Sequence, residues 1–122
     1  MRFEFATAGR IAFGPGAAQE VAATAVKLGH RPLVVTGRRA GQAGWLIAQL
    51  QQTGLAPTIF SVSGEPTVDT ARAGVQQARD ASCDLVIGLG GGSVLDAAKA
   101  IAALLTNHGD PLDYLEVVGR GQ

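Results

Sequence analysis

The sequence predicts an open, mostly parallel α/β sheet with helices on both faces. Short apolar runs at 32–36, 57–62 and 85–89 alternate with longer stretches of helical periodicity, the pattern of strand–helix–strand units. The run Pro32-Leu33-Val34-Val35-Thr36 has no polar interruption before its last residue, as expected of a strand covered on both sides. The third run passes directly into Gly90-Gly91-Gly92, a strand-to-helix turn that leaves room for a ligand.

The elements follow in order. Phe3 and Phe5, then Ile11 and Phe13, bracket Thr7-Ala8-Gly9-Arg10 and predict an opening β-hairpin. Gly14-Pro15-Gly16 starts a helix expected to reach Leu28, with Val21, Ala22, Ala25, Val26 and Leu28 inward and Gly29 as its C-terminal stop. After the strand at 32–36, a second helix runs from Gly44 or Trp45 to Gln52, closed by Gly54. Pro57 to Val62 is the next strand, and Ser63-Gly64-Glu65-Pro66 a loop. Thr67 caps a helix that buries Val68, Ala71, Val75 and Ala78 and wets Arg72, Gln76 and Arg79. Leu85 to Leu89 is the last strong strand. The helix from Val94 to Leu105 is apolar nearly all round, so it is expected to be buried; Asn107-His108-Gly109 ends it, and residues 110–115 suggest a further turn.

Composition narrows the function. A chain of 122 residues makes one domain with a real core. Ten basic and ten acidic side chains cancel, which disfavours nucleic acid and anionic membranes as partners. No apolar run reaches membrane-spanning length, and Met1 to Phe5 lacks a signal peptide's apolar core, so the expected compartment is the cytoplasm. Cys83, the single cysteine, reads as a packed, reduced thiol. His30 and His108 read as surface or capping residues, and no metal-ligand spacing or nucleophile set is present.

The Gly90–Gly92 turn is the candidate site. A helix start supplies unpaired N–H groups and a positive dipole end, both suited to the diphosphate of a nucleotide cofactor. Glycines also serve tight turns and close helix–strand packing, so a bare Gly-rich turn admits both readings. The G-x-G-x-x-G fingerprint matches only in part: Gly88, Leu89 and Gly90 fit, whereas Ser93 holds the third glycine position. Thr36-Gly37-Arg38, Ser63 to Pro66 and Gly90 to Ser93 all lie at strand carboxyl ends and can line one crevice. Ser93 sits where an N-cap belongs. Asp96, three residues on, is either a structural first-turn acid or a crevice residue, and Lys99 is expected to pair with it.

Four stretches make the chain similar to the amino-terminal domain of the iron-containing (group III) alcohol dehydrogenases. Phe13-Gly14-Pro15-Gly16-Ala17 resembles the family's F-G-x-G-A opening, and Leu33-Val34-Val35-Thr36-Gly37 its first nucleotide strand. Glu65-Pro66-Thr67 resembles its x-P-T turn, and the segment from Gly90 to Lys99 its G-G-G-S-x-x-D-x-x-K signature. The resemblance implies a Rossmann-like domain over 1–122 of the dehydroquinate synthase-like type. It further implies NAD or NADP held by Gly37, Arg38, Glu65, Pro66, Thr67, Gly90, Gly91, Gly92, Ser93 and Asp96. Hydride would pass between nicotinamide and a small alcohol or aldehyde.

The resemblance also implies iron or zinc bound by a helical carboxyl-terminal domain that these 122 residues do not include. They are therefore not expected to turn over alone, and an apolar face left by the missing half favours a homodimer. Maleylacetate reductase and glycerol dehydrogenase are related alternatives, and a free-standing nucleotide-binding or regulatory module is a non-enzymatic one. Gly37 stands where the family often carries a ribose-binding Asp and is followed by Arg38 and Arg39. These arginines either accept a 2′-phosphate, so that NADP binds at least as well as NAD, or are solvated loop charges.

Overall fold

A computed structural model describes residue 10 and residues 12–107 of the protein. Three strands, β1 (Pro32–Thr36), β2 (Thr58–Ser61) and β3 (Leu85–Leu89), form one sheet in the order β2-β1-β3. Both pairs are parallel: Leu33 lies opposite Thr58 and Val86, and Thr36 opposite Ser61 and Leu89. All five β1 residues are buried, as its uninterrupted apolar run requires of a central strand.

Alternation along β1 divides the interior into two layers. Leu33 and Val35 face α3 (Val68–Asp80) and α4 (Gly92–Thr106), packing with Ala71, Val75, Ala78, Val94, Ala97, Ile101 and Leu104. Val34 faces the opposite side, with Ala22 and Ala25 of α1 (Val21–Ala25) and Leu46 and Leu50 of α2 (Gly44–Gln52). Helices therefore cover both faces. Thr67 caps α3 reciprocally with Thr70: each side chain accepts from the other residue's backbone N–H. Gly54, at φ 86°, closes α2.

Three expectations need correction. The first helix is a 3-10 turn (Ala17–Glu20) followed by the short α1, and Val26 and Leu28 are 43% and 69% exposed. Lys27 and Leu28 donate to carbonyls only three residues back, which tightens the last turn and rotates both side chains away from the sheet. Gly29 does not act there as a left-handed stop. A Cβ on it would meet Asp84 Oδ1 at 2.5 Å, because the Asp84 carboxylate accepts from the backbone N–H groups of His30 and Arg31 at 2.9–3.0 Å. Those bonds, Arg31's foremost, hold the carboxyl below its ordinary range.

The third correction concerns α4, which is not buried all round. Val94, Ala97, Ala98, Ile101 and Leu104 are inward, while Leu95 is 42% exposed and Ala102 and Ala103 face outward. Cys83 packs beside the α3–α4 layer, and burial pushes its thiol upward, in keeping with an unreactive sulfur. Residues 1–9 and 11, which carry most of the expected hairpin, lie outside the described residues, as do His108 and the turn expected at 110–115.

Candidate functional site

The carboxyl ends of β1 and β3 are level, since Thr36 pairs with Leu89. The segments leaving them diverge around a cleft of about 410 Å³. One wall comprises Thr36, Gly37, Arg38, Arg39, Gln42, Ala43 and Trp45; the other comprises Leu89, Gly90, Gly91 and Val94.

The glycines of the second wall are not equivalent. Gly88 lets β3 approach α4, because a Cβ there would meet Ala98 Cβ at 3.0 Å and Leu95 Cδ2 at 3.2 Å. Gly90 has φ 155°, and a Cβ would lie 2.8 Å from Val94 Cγ2, so both conformation and packing demand glycine. Gly91 and Gly92 have neither reason. Gly91 takes an ordinary extended conformation (φ −80°, ψ −168°), and a Cβ on either residue would meet nothing within 4 Å. Their bareness leaves the backbone open to whatever enters the cleft.

Gly91, rather than Ser93, is the N-cap of α4, and it offers no side-chain cap. Glycine can start a helix without a capping side chain, so the helix begins earlier than the serine would suggest. Leu95 makes the first intrahelical bond, donating to the Gly91 carbonyl at 3.1 Å. The N–H groups of Gly92, Ser93 and Val94 find no backbone partner among the described residues. The N-terminus of α3, closed by Thr67 and Thr70, is the contrasting case. An unfilled helix start beside bare glycine backbone can accept an anion, with three amides and the dipole acting together.

Two hydrogen bonds tie the three carboxyl-end loops together. Arg38 Nε donates to Ser63 Oγ at 2.6 Å, and Ser93 Oγ donates to Glu65 Oε1 at 3.3 Å. Below them the Thr36 and Ser61 hydroxyls lie 3.4 Å apart. The loops after β1 and β3 thus share one cleft, whereas Ser63 to Pro66, expected to line it too, lie outside its lining and join it only through these bonds.

A sequence profile of the family described as iron-containing alcohol dehydrogenase matches residues 8–122. The chain belongs to the iron-containing alcohol dehydrogenase family. It is 47% identical over 78 residues to the probable alcohol dehydrogenase EutG of Salmonella typhimurium, covering 63% of this chain and 20% of that protein. To long-chain-alcohol dehydrogenase 1 of Geobacillus thermodenitrificans it is 36% identical over 121 residues, covering 90% and 31%. Among solved structures it is similar to sulfoacetaldehyde reductase from Bifidobacterium kashiwanohense in complex with NAD+ (TM-score 0.76, 28% identity, 96% of this chain and 32% of that one). The chain thus spans between a fifth and a third of the length of these relatives.

Within this alcohol dehydrogenase fold, the structure draws Gly37, Arg38, Gly90 and Gly91 into the cleft itself. Gly92, Ser93 and Glu65 adjoin it through the start of α4 and the Ser93–Glu65 bond. Pro66 and Thr67 do not line it, and the Thr67 side chain is engaged in capping α3. Asp96 is exposed one turn further along α4 and forms no ion pair with Lys99, contrary to the expected pairing. Sequence reasoning passed over Gln42 and Trp45 as cleft residues. The lone tryptophan sits at the first turn after a crevice loop, and that position could have marked it. Among the described residues no three His, Cys, Asp or Glu side chains come together in a way that could hold a metal.

Proposed function

We propose that the chain is the coenzyme-holding domain of an alcohol dehydrogenase or aldehyde reductase and binds a nicotinamide dinucleotide, NAD or NADP, across the carboxyl edge of its sheet. The observation that carries this reading is the open start of α4, where three amides without a backbone partner among the described residues stand beside glycines that neither backbone angle nor packing demands. The Gly92, Ser93 and Val94 amides face the diphosphate, Gly91 lets it approach, and Glu65 orients the Ser93 hydroxyl. A relative that binds NAD+ with the same fold supports the assignment. Asp96 lies beyond the diphosphate, toward the rest of the coenzyme.

When bound, the coenzyme supplies or accepts the hydride exchanged with a small alcohol or aldehyde carbon. The contribution of these residues is to bind and orient it. The family's metal finds no ligand set among the described residues, so none of them is given a part in polarising the substrate. The companion helical domain, the iron or zinc it would hold, the homodimer and the cytoplasmic setting belong to this proposal. No helix among the described residues is long and apolar enough to cross a membrane.

Trp45 provides the test, because it is the only tryptophan and lines the cleft. Titration with NADH and NADPH is expected to change its fluorescence saturably, with ADP competing. No saturable change with either coenzyme would overturn the proposal.

A further inference from the structure

We infer that Ser63-Gly64-Glu65 is a strap latched to both walls of the cleft before coenzyme arrives, and that the coenzyme's diphosphate displaces its Glu65 end from the start of α4. This rests on the coenzyme reading above and adds a gate to that same site. Glu65 orients the Ser93 hydroxyl until the diphosphate takes that hydroxyl over.

The strap is short, and the chain is fixed on either side of it. Before it, the buried Val62 still donates to the Thr36 carbonyl at 2.8 Å, as a strand residue would. After it, Thr67 is locked into the cap of α3. Between them Ser63, Gly64 and Glu65 are all exposed. Gly64 stands at φ 71°, a left-handed conformation that suits glycine, and a Cβ on it would meet nothing within 4 Å.

Side-chain bonds, not packing, therefore hold the strap down. Ser63 Oγ accepts from Arg38 Nε at 2.6 Å on one wall. Glu65 Oε1 accepts from Ser93 Oγ at 3.3 Å where α4 continues the other wall. Exposed bonds of this kind each shift an equilibrium by about 2- to 10-fold, so the latch holds the loop and still releases it.

The chemistry at the Glu65 end decides what releases it. Its carboxylate forms no ion pair among the described residues. It is held instead at a helix start whose Gly92, Ser93 and Val94 amides have no backbone partner among the described residues, where the dipole favours a negative group. The chain thus supplies its own anion to the place where the ligand's anion binds. A diphosphate on those amides would lie within a few ångströms of the carboxylate, and like charges that close repel. The two groups occupy the α4 start alternately. Once Glu65 leaves, the strap hangs on the Ser63 tie alone.

Backbone relaxation by NMR and Trp45 fluorescence titration of the full 122-residue chain with NADH test the inference. In the free protein the Gly64 and Glu65 amides should be as ordered as those of α3, with order parameters of about 0.85, and saturation with NADH should lower them to about 0.6 or less. Ser63→Ala cuts the other tie without removing a charge, and should tighten NADH binding about 2- to 5-fold. Gly64→Ala strains the latched turn and meets no neighbour, so it should act in the same direction. In a Glu65→Gln chain, whose hold on Ser93 is already weakened, Ser63→Ala should add no more than about 1.5-fold. A strap already disordered without NADH, or still ordered with it, overturns the inference. So does Ser63→Ala that leaves NADH binding unchanged, weakens it, or keeps its full effect beside Glu65→Gln. All of these leave the coenzyme site standing, whereas no saturable NADH binding overturns both.

Discussion

Replacing Gly90 and Gly91 separately by alanine divides the fold's requirements from the ligand's. At Gly90 the added methyl is forced into a left-handed backbone position at φ 155° and against Val94 Cγ2 at 2.8 Å, Cβ at 3.0 Å and Cγ1 at 3.3 Å. Backbone strain and overpacking together predict a loss of about 2–4 kcal/mol. At Gly91 the backbone is extended and nothing lies within 4 Å of the new methyl. Alanine is a poorer N-cap than glycine by about 0.5–1 kcal/mol, and reduced freedom of the unfolded chain returns about as much. Urea unfolding should therefore give Gly91→Ala a midpoint close to the parent's and Gly90→Ala a clearly lower one. Trp45 fluorescence titration should then show Gly91→Ala binding coenzyme at least about tenfold more weakly, equivalent to losing one charge-assisted hydrogen bond. A Gly91→Ala protein that is as stable as the parent and binds coenzyme equally well would refute the reasoning. So would a Gly90→Ala protein of unchanged stability.

Three further outcomes follow from the same geometry. Glu65→Gln removes a negative charge beside the proposed diphosphate position; coenzyme should bind up to about fivefold more tightly, since exposed charges a few ångströms apart interact by about 1 kcal/mol, and the gain should vanish in high salt. Asp84 holds the starts of β1 and β3 together through the His30 and Arg31 amides. Its carboxyl titrates below the ordinary value of 3.8, so its contribution is complete above that pH and is lost as pH falls through the lower folded value. Asp84→Asn should cost about 1 kcal/mol at neutral pH, discounted for exposure, with urea midpoints of parent and variant converging as pH falls below the ordinary carboxylate range. Ser82 sits at φ 54° after α3, and Ser82→Gly should raise the unfolding midpoint by the equivalent of about 0.5–1 kcal/mol, the left-handed strain less the added freedom of the unfolded chain.

The central architecture was legible because its signals are local. The uninterrupted apolar run of β1, the Thr67 cap and the periodicity of α3 each state their structure within a few residues, and β1, α2 and the start of α3 fall where those signals put them. What escaped depends on distant partners. Gly29 reads as a helix stop, yet its role is set by the Asp84 carboxylate at the start of the neighbouring strand, 55 residues on. Val26 and Leu28 fit a helical stripe that the chain abandons when α1 tightens to meet β1. The apolar outer face of α4 cannot say from sequence whether anything covers it. At the site, the glycine turn was visible, but its division into structural and open glycines needed the position of Val94. Ser93 resembles an N-cap by residue type, whereas helix geometry places the cap at Gly91. The Arg38–Ser63 tie joins residues 25 positions apart, beyond the reach of any local pattern.

Amide-resolved NMR during titration with NADP and NAD tests the anion site most directly. The account predicts that the largest, saturable shifts fall on the N–H signals of Gly91, Gly92, Ser93 and Val94, with the Thr67–Thr70 amides of the closed α3 start scarcely moving. Saturable binding that leaves the α4 start undisturbed and shifts amides elsewhere would contradict it.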